Sequence, residues 1–118
     1  MVTEEIRAIV KEIYEAIDDK KGEDIVVINI GGLSIIADYF VIASAGSERQ
    51  AKAIATEVQK RLAKKGIFPI GKEGLSSPSW ILLDYGDVMV HIFKSEERYF
   101  YDLERTWKDA PREEIENF

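Results

Sequence analysis

The hydrophobic positions along the chain alternate between the spacing of helices and the spacing of strands. Across residues 3–21, apolar side chains recur three and four positions apart, which predicts an amphipathic helix with Thr3 as its cap. A Lys-Lys-Gly sequence would end this helix, because cations and glycine suit a helix carboxyl terminus. The nearly all-apolar, β-branched run 25–30 then predicts a strand that is covered on both faces.

The middle of the chain predicts a second strand and a second helix. A doubled glycine ends the first strand, the segment 33–37 fits no single element, and residues 38–44 predict the next strand. Ser47 and Gln50 then have the spacing of a capping box, in which the two side chains satisfy backbone donors at the start of a helix. The apolar stripe that follows predicts a helix, which Gly66 would close.

The next stretch predicts three strands, two of which form a hairpin. Residues 67–70 predict a short edge strand, since a proline has no amide hydrogen to donate to a central ladder. The segment 71–79 is rich in glycine, serine and proline, so it predicts a loop. Two further strands, 80–84 and 88–93, would be joined by a tight turn in which Gly86 supplies a positive φ.

The carboxyl-terminal part of the chain predicts one helix and a tail. Ser95 would cap a helix that carries Phe100, Leu103 and Trp107 and stops before the last proline. The remaining residues are mostly charged and acidic. We expect them to form a solvated end.

The predicted order of elements is α-β-β-α-β-β-β-α, which places the chain in the α/β (α+β) class. We expect a single domain over residues 1–118, with a helix at 3–21, a core at 23–110 and an acidic tail at 111–118. A chain of this length can bury about two thirds of its unfolded surface. The expected architecture is a mixed five-stranded sheet packed with helices.

The hairpin has two chemically different faces, because successive side chains of a strand point to opposite sides. If two residues form its turn, one face carries only aliphatic side chains, from Ile81, Leu83, Val88, Val90 and Ile92. The opposite face then carries Trp80, Leu82, Asp84, Met89, His91 and Phe93. Such a mixture of aromatic, polar and charged groups is typical of protein interfaces. It is equally compatible with a sheet covered on both sides, in which His91 is partly buried and Trp80 belongs to the core.

The charge and composition exclude several classes of function. The net charge is −6, whereas a protein that grips nucleic acid through phosphates needs a surplus of lysine and arginine. We therefore expect no direct nucleic-acid binding and favour a basic protein partner. The chain has no cysteine and one histidine, which excludes thiolate chemistry and multi-histidine metal sites. We expect no metal and no cofactor.

No apolar run approaches the roughly 20 residues that a membrane helix needs. The amphipathic pattern also starts directly after Met1, without a basic leader or an apolar signal segment. We therefore expect no membrane association and a cytoplasmic location.

Neither of two candidate catalytic arrangements is supported. A Gly-Gly turn at 31–32 would suit a nucleotidyltransferase, but such an enzyme needs two carboxylates on alternate strand residues. Here Asp38 is followed by two aromatic residues, so the second acid is missing. A Ser-His-Asp set could be drawn from Ser44, Ser47, His91, Asp38 and Asp84. No nucleophile elbow enforces it, and Ser47 is already explained as a helix cap. We expect no catalytic residues.

Two long motifs resemble the ribosomal silencing factor, or Iojap, family. The first is DYFVIAS at 38–44, followed by Ser47 and Gln50; the second is WILLDYGDVMVHIF at 80–93. The match ends with Arg98, Tyr101, Leu103, Glu104 and Trp107, and it covers nearly the whole chain. Within it, Tyr85 and Tyr101 depart from the residue types of some relatives.

The resemblance implies a non-enzymatic factor that binds the large ribosomal subunit through its fourteenth protein. There it would obstruct joining of the small subunit and so repress translation. Two alternatives remain open: a large-subunit assembly factor without silencing, and a nucleotidyltransferase-like nucleotide-binding enzyme. The resemblance also implies a nucleotidyltransferase-like topology without the catalytic acids, and homodimers.

The resemblance assigns the partner-binding surface to the strand pair and the last helix. Trp80 would be the buried anchor, and Asp84 or Asp87 would pair with a basic residue of the partner. The predicted partner-binding residues are Trp80, Leu82, Asp84, Asp87, His91 and Tyr101.

Overall fold

The computed structural model describes residues 4–118, so the predicted cap at Thr3 lies outside the described residues. In chain order the helices and strands are α1 (Glu4–Asp19), β1 (Glu23–Asn29), β2 (Tyr39–Ala45), α2 (Glu48–Ala63), β3 (Gly71–Glu73), β4 (Trp80–Asp84), β5 (Val88–Lys94), α3 (Ser95–Tyr101) and α4 (Leu103–Thr106). A short 3-10 turn, Ile115–Asn117, follows.

The five strands form one sheet in the order β1-β2-β5-β4-β3. The pair β2–β5 is parallel and the other three pairs are antiparallel, so the predicted mixed five-stranded sheet is confirmed. All seven residues of β2 are buried, because β2 lies inside the sheet and both of its faces are covered. Val27 and Ile28 of β1 are likewise buried on opposite faces, as the apolar run predicted.

One face of the sheet packs against α1 and α2. The core on this side joins the apolar stripes of both helices to the aliphatic face of the hairpin. Ile81 and Leu83 are fully buried there, together with Val90 and Ile92. The predicted aliphatic face of the hairpin is therefore confirmed, and it is the face against which the helices pack.

The opposite face is covered over only part of its width. Residues of β1, β2 and β5 pack there with Leu103 and Trp107, and the Trp107 ring lies 5.4 Å from the Phe40 ring. Arg98 anchors this cover, since its guanidinium donates to Ser44 Oγ and to Glu104 Oε1, each at 2.8 Å. The cover does not extend over β4.

The edge strand predicted at residues 67–70 is wrong in position, because the observed strand β3 spans Gly71–Glu73. Pairing with β4 starts when Ile70 N donates to Asp84 O at 2.7 Å, and it continues through β3. Residues 67–69 lie between α2 and β3, outside any helix or strand, and Ile67 N donates back to Leu62 O near the end of α2. The strand thus lies mainly in the segment predicted as a loop, because backbone pairing tolerates glycine and polar side chains at an exposed edge.

The predicted last helix is broken in two. Asp102 adopts a left-handed conformation with φ 47°, which ends α3 and starts α4. Ser95 is not a cap, because its hydroxyl donates to Ala45 O and no side chain caps α3. Phe100 is 79% exposed, so it does not share a buried face with Leu103 and Trp107.

The boundary between α1 and β1 also differs from its prediction. Lys21, with φ 65°, adopts the left-handed conformation that the sequence assigned to Gly22. The glycine is required for space instead, because a Cβ there would lie 2.3 Å from Ile17 Cγ2.

The serine half of the predicted capping box of α2 is confirmed, and its glutamine half is replaced by other contacts. Ser47 Oγ accepts from Gln50 N at 3.1 Å, and Gly66 has a positive φ just after the helix. Gln50 Oε1 accepts from Gly46 N rather than from the cap residue, and its amide donates to the carbonyls of Lys20 and Lys21. One side chain therefore links the start of α2 to the end of α1.

The acidic tail is not a solvated end. Asn29 N donates to Pro111 O and Glu113 N donates to Val27 O, so the tail covers the outer edge of β1. Glu113 accepts from Asn29 Nδ2 at 2.8 Å and, at 3.3–3.4 Å, from Tyr39 Oη and Arg7. A bare strand edge invites pairing with another chain, and this contact removes that hazard.

The Glu113 contacts should contribute to stability. In Glu113→Ala, the part-buried donors of Asn29 and Tyr39 lose their acceptor, so the free energy of unfolding should fall by about 1–3 kcal/mol. Urea denaturation measures this change. The matched control is Glu114→Ala at an exposed position, which should stay within about 0.5 kcal/mol of the wild type. Equal stability of the two variants would contradict a docked tail.

Candidate protein-docking face

The hairpin register leaves a partly open surface along β4. Tyr85 N donates to Val88 O, so two residues form the turn, and the predicted pairing of the strands is confirmed. On the face away from α1 and α2, four side chains are half-buried: Trp80, Leu82, Asp84 and Met89. We call these four residues the open strip.

Trp80 stands at the centre of an aromatic cluster at one end of the open strip. Its ring centroid lies 4.9 Å from that of Phe93, on which it stacks, and 4.6 Å from that of Tyr101. A surface cavity of about 300 Å³ opens beside it, lined by Glu73, Gly74, Ser79, Trp80, Leu82 and Tyr101. The cavity combines two aromatic rings with a carboxylate, which suits a partner side chain with an apolar stem and a cationic end.

Gly74 brings the preceding loop against the backbone of Trp80. Its φ is 83°, and a Cβ at this position would lie 2.0 Å from Trp80 O. No other L-residue fits there without displacing the strand. This glycine therefore holds one wall of the cavity beside the tryptophan.

His91 lies beneath Trp80 rather than at the surface. Its side chain is only 4% exposed, and burial lowers its pKa from 6.5 to about 4. The imidazole is therefore neutral near pH 7, and its Nδ1 accepts a hydrogen bond from Trp80 Nε1 at 3.1 Å. An accepting Nδ1 assigns the proton to Nε2, which has no hydrogen-bond partner in the described structure. His91 is thus placed to orient Trp80.

The two predicted acids lie at the other end of the open strip. Asp84 Oδ1 accepts from Gly86 N at 2.8 Å, so part of this carboxylate shapes the hairpin turn. Asp87 is exposed in the turn, and its backbone carbonyl accepts from Asp38 N and Tyr39 N. The structure therefore places Trp80, Leu82 and Tyr101 around one cavity, and Asp84 lies about 14 Å along the strand from Trp80.

The candidate catalytic side chains are engaged elsewhere. Ser44 accepts from Arg98, Ser47 caps α2, and His91 faces Trp80. Among residues 4–118, no group of three or more acidic or histidine side chains is arranged to hold a metal ion. Of the helices described, none has the length and apolar character needed to cross a membrane.

Comparison with known proteins agrees with this fold and points to one family. The model of the family described as "Ribosomal silencing factor during starvation" matches residues 3–118. The chain belongs to the ribosomal silencing factor family. Its membership confirms the resemblance on which the predicted docking residues were assigned.

Individual members of the family are similar over most of their length. The ribosomal silencing factor RsfS of Halalkalibacterium halodurans is 46% identical over 101 residues, which is 86% of each chain. RsfS of Bacillus subtilis is 40% identical over 110 residues, 93% of each chain. A crystal structure of a Chromobacterium violaceum protein superposes with a TM-score of 0.85 at 38% identity, covering 87% of this chain and 86% of that one.

Three residues of the cavity were missed from the sequence: Glu73, Gly74 and Ser79. They lie in the segment predicted as a loop, seven residues or fewer before Trp80. The one usable signal was the glycine, since an isolated glycine near a strand often marks a close backbone approach. Only the paired sheet shows which backbone it approaches.

Burial of neutral His91 should make stability depend on pH. Its folded pKa of about 4 lies below the unfolded value of 6.5, so the unfolded state binds more protons between these values. The free energy of unfolding should therefore decrease as the pH falls from about 6.5 towards 4. Urea denaturation at a series of pH values, on the wild type and on His91→Gln, isolates this contribution. The variant should lose the slope between about pH 5 and 6.5, and the same slope in both proteins would contradict a buried neutral imidazole.

Proposed function

We propose that this chain binds the large ribosomal subunit through the fourteenth protein of that subunit and sterically blocks joining of the small subunit. The observation that carries the proposal is the half-buried Trp80, held by His91 and stacked with Phe93 beside an open cavity. Family membership supports the ribosome as the target. The choice of partner protein and the blocking of subunit joining are our proposal.

The geometry suits an anchor in a protein interface. In alanine scanning, truncation of a large aromatic side chain near the centre of an interface commonly costs about 2 kcal/mol or more of binding free energy. Trp80 is already fixed by a hydrogen bond and two ring contacts, so binding would cost it little conformational entropy. Such an oriented side chain is a better anchor than a freely rotating one.

Charge favours a basic partner at this face. Asp84 and Asp87 stand at one end of the open strip and Glu73 borders the cavity near the other, while residues 80–93 contain no lysine or arginine. Basic side chains of a ribosomal protein would pair with these carboxylates and speed the encounter. His91, being buried, would act through Trp80 and not by direct contact.

The proposed mechanism has no chemical step. A bound protein of this size, with extents of 35 × 33 × 26 Å, would occupy space that the small subunit needs. We therefore propose a non-enzymatic regulator that works in the cytoplasm, where ribosomes assemble on messenger RNA. A role in large-subunit assembly would use the same docking face, and homodimer formation stays a prediction.

Trp80→Ala should abolish silencing while the fold survives. Wild-type protein, added to purified large subunits before small subunits, should lower the fraction of joined ribosomes recorded by light scattering. Loss of the anchor should weaken binding by roughly 30-fold or more, the equivalent of about 2 kcal/mol. The matched control is Tyr99→Ala, which removes an aromatic ring of α3 that is highly exposed and does not line the Trp80 cavity.

Each outcome of this assay has a distinct meaning. If Trp80→Ala bound large subunits as strongly as the wild type does, the proposed docking face would be wrong. Co-sedimentation of the wild type with large subunits, without any drop in joined ribosomes, would instead favour the assembly role. Failure of the wild type to bind large subunits would refute the proposal as a whole.

A further inference from the structure

Three aliphatic side chains stand in solvent on the loop between β1 and β2. Ile35 is fully exposed, and Leu33 and Ile36 are 56% and 58% exposed. We call residues 31–37 the apolar loop. Clustered exposed aliphatic groups are rare on a monomer and commonly mark an interaction site.

Hydrogen bonds give the apolar loop a defined shape. Ile30 O accepts from both Leu33 N and Ser34 N, at 3.0 and 2.9 Å. Ser34 Oγ then accepts from Ile36 N at 3.0 Å, and Asn29 Oδ1 accepts from Gly31 N. These bonds form successive turns that place Ile35 at the outside. A loop ordered before binding loses little entropy when it is covered.

The ends of the apolar loop join it to the open strip. Asp38, just after the loop, donates its backbone N–H to Asp87 O at 2.8 Å in the hairpin turn. Ile30 and Ala37 pack in the same hydrophobic cluster as Met89 and Trp80. The apolar loop therefore projects from the end of the sheet where Asp84 and Met89 lie, opposite to the Trp80 end.

The open strip is too small to be a complete interface. From Trp80 to Asp84 it runs about 14 Å, and two strands are about 10 Å wide, which gives roughly 140 Å². A stable interface buries about 800 Å² on each partner. A partner anchored at Trp80 must therefore extend beyond the strip, and the apolar loop provides aliphatic surface along the strand direction.

We propose that the apolar loop is a second contact of the same docking face, and that it packs on an aliphatic patch surrounded by basic residues. This inference rests on the proposed function. Residues 22–48 contain no lysine or arginine, and neither do residues 80–93, whereas Asp38, Asp84 and Asp87 surround the base of the loop. An acidic border around aliphatic side chains complements a basic ribosomal protein and repels an acidic partner such as a second copy of this chain.

The test compares Ile35→Asp with a matched control by co-sedimentation with purified large ribosomal subunits. Ile35→Asp should weaken binding about tenfold or more, since it removes the burial of one isoleucine and places a carboxylate in its position. The control is Phe68→Asp, because Phe68 is 67% exposed in a groove bordered by Lys60 and Lys72, on the α2 side of the protein. The control should bind within about twofold of the wild type, and both variants should keep the wild-type thermal unfolding midpoint.

The outcomes separate this inference from the proposed function. If Ile35→Asp kept the wild-type affinity while Trp80→Ala lost binding, the apolar loop contact would be overturned and the docking face would stay intact. Equal losses in Ile35→Asp and Phe68→Asp would also overturn it, as would an effect of Ile35→Asp on self-association alone. If the wild type does not sediment with large subunits, the proposed function fails and this inference fails with it.

Discussion

The register of the β4–β5 hairpin is the constraint on which the rest of the structure depends. The turn around Gly86, at φ 83°, pairs Leu82 with His91 and Leu83 with Val90. Because side chains alternate with a period of two, a slip of one residue would expose the aliphatic set and bury the open strip against α1 and α2. Asp84 reinforces the turn by accepting from Gly86 N, so a residue of the candidate surface also maintains the register that creates the surface.

The sheet face away from α1 and α2 is only partly covered, and this leaves the side chains of β4 on that face accessible. The break at Asp102 redirects the chain, and residues 103–110 then pack over β1, β2 and β5 but leave β4 open. Arg98 secures this arrangement, because its hydrogen bonds to Ser44 and Glu104 join the two short helices to β2. The Arg98 hydrogen bond also lowers the pKa of Glu104 and so favours the charged pair. Tyr101, the last residue of α3, is thereby held against Trp80 at the edge of the cover.

Beneath the open strip, a buried neutral histidine serves to orient the half-buried Trp80. His91 costs stability at low pH because its charged form is disfavoured, and a residue that only filled the core would not need two ring nitrogens. Its Nδ1 instead gives the indole N–H an acceptor within the protein, so this polar group of Trp80 needs no partner from outside. The two alternatives left open for this hairpin face are therefore combined: His91 and Phe93 are covered, while Trp80 and Leu82 remain accessible.

Local pattern was enough to predict the class of fold, the order of the elements, the capping of α2 and the two faces of the hairpin. Each of these follows from spacing within a few residues, as with Ser47 and Gln50. The docking role of Trp80 rests on the resemblance of the family motifs and stays a prediction. The tertiary structure alone decided the position of β3, the break at Asp102, the docking of Glu113 and the burial of His91. These depend on contacts between residues distant in sequence, whose free energies outweigh weak local preferences. The alternation of side chains is a local property of the chain, whereas coverage of a face is decided by whatever packs upon it.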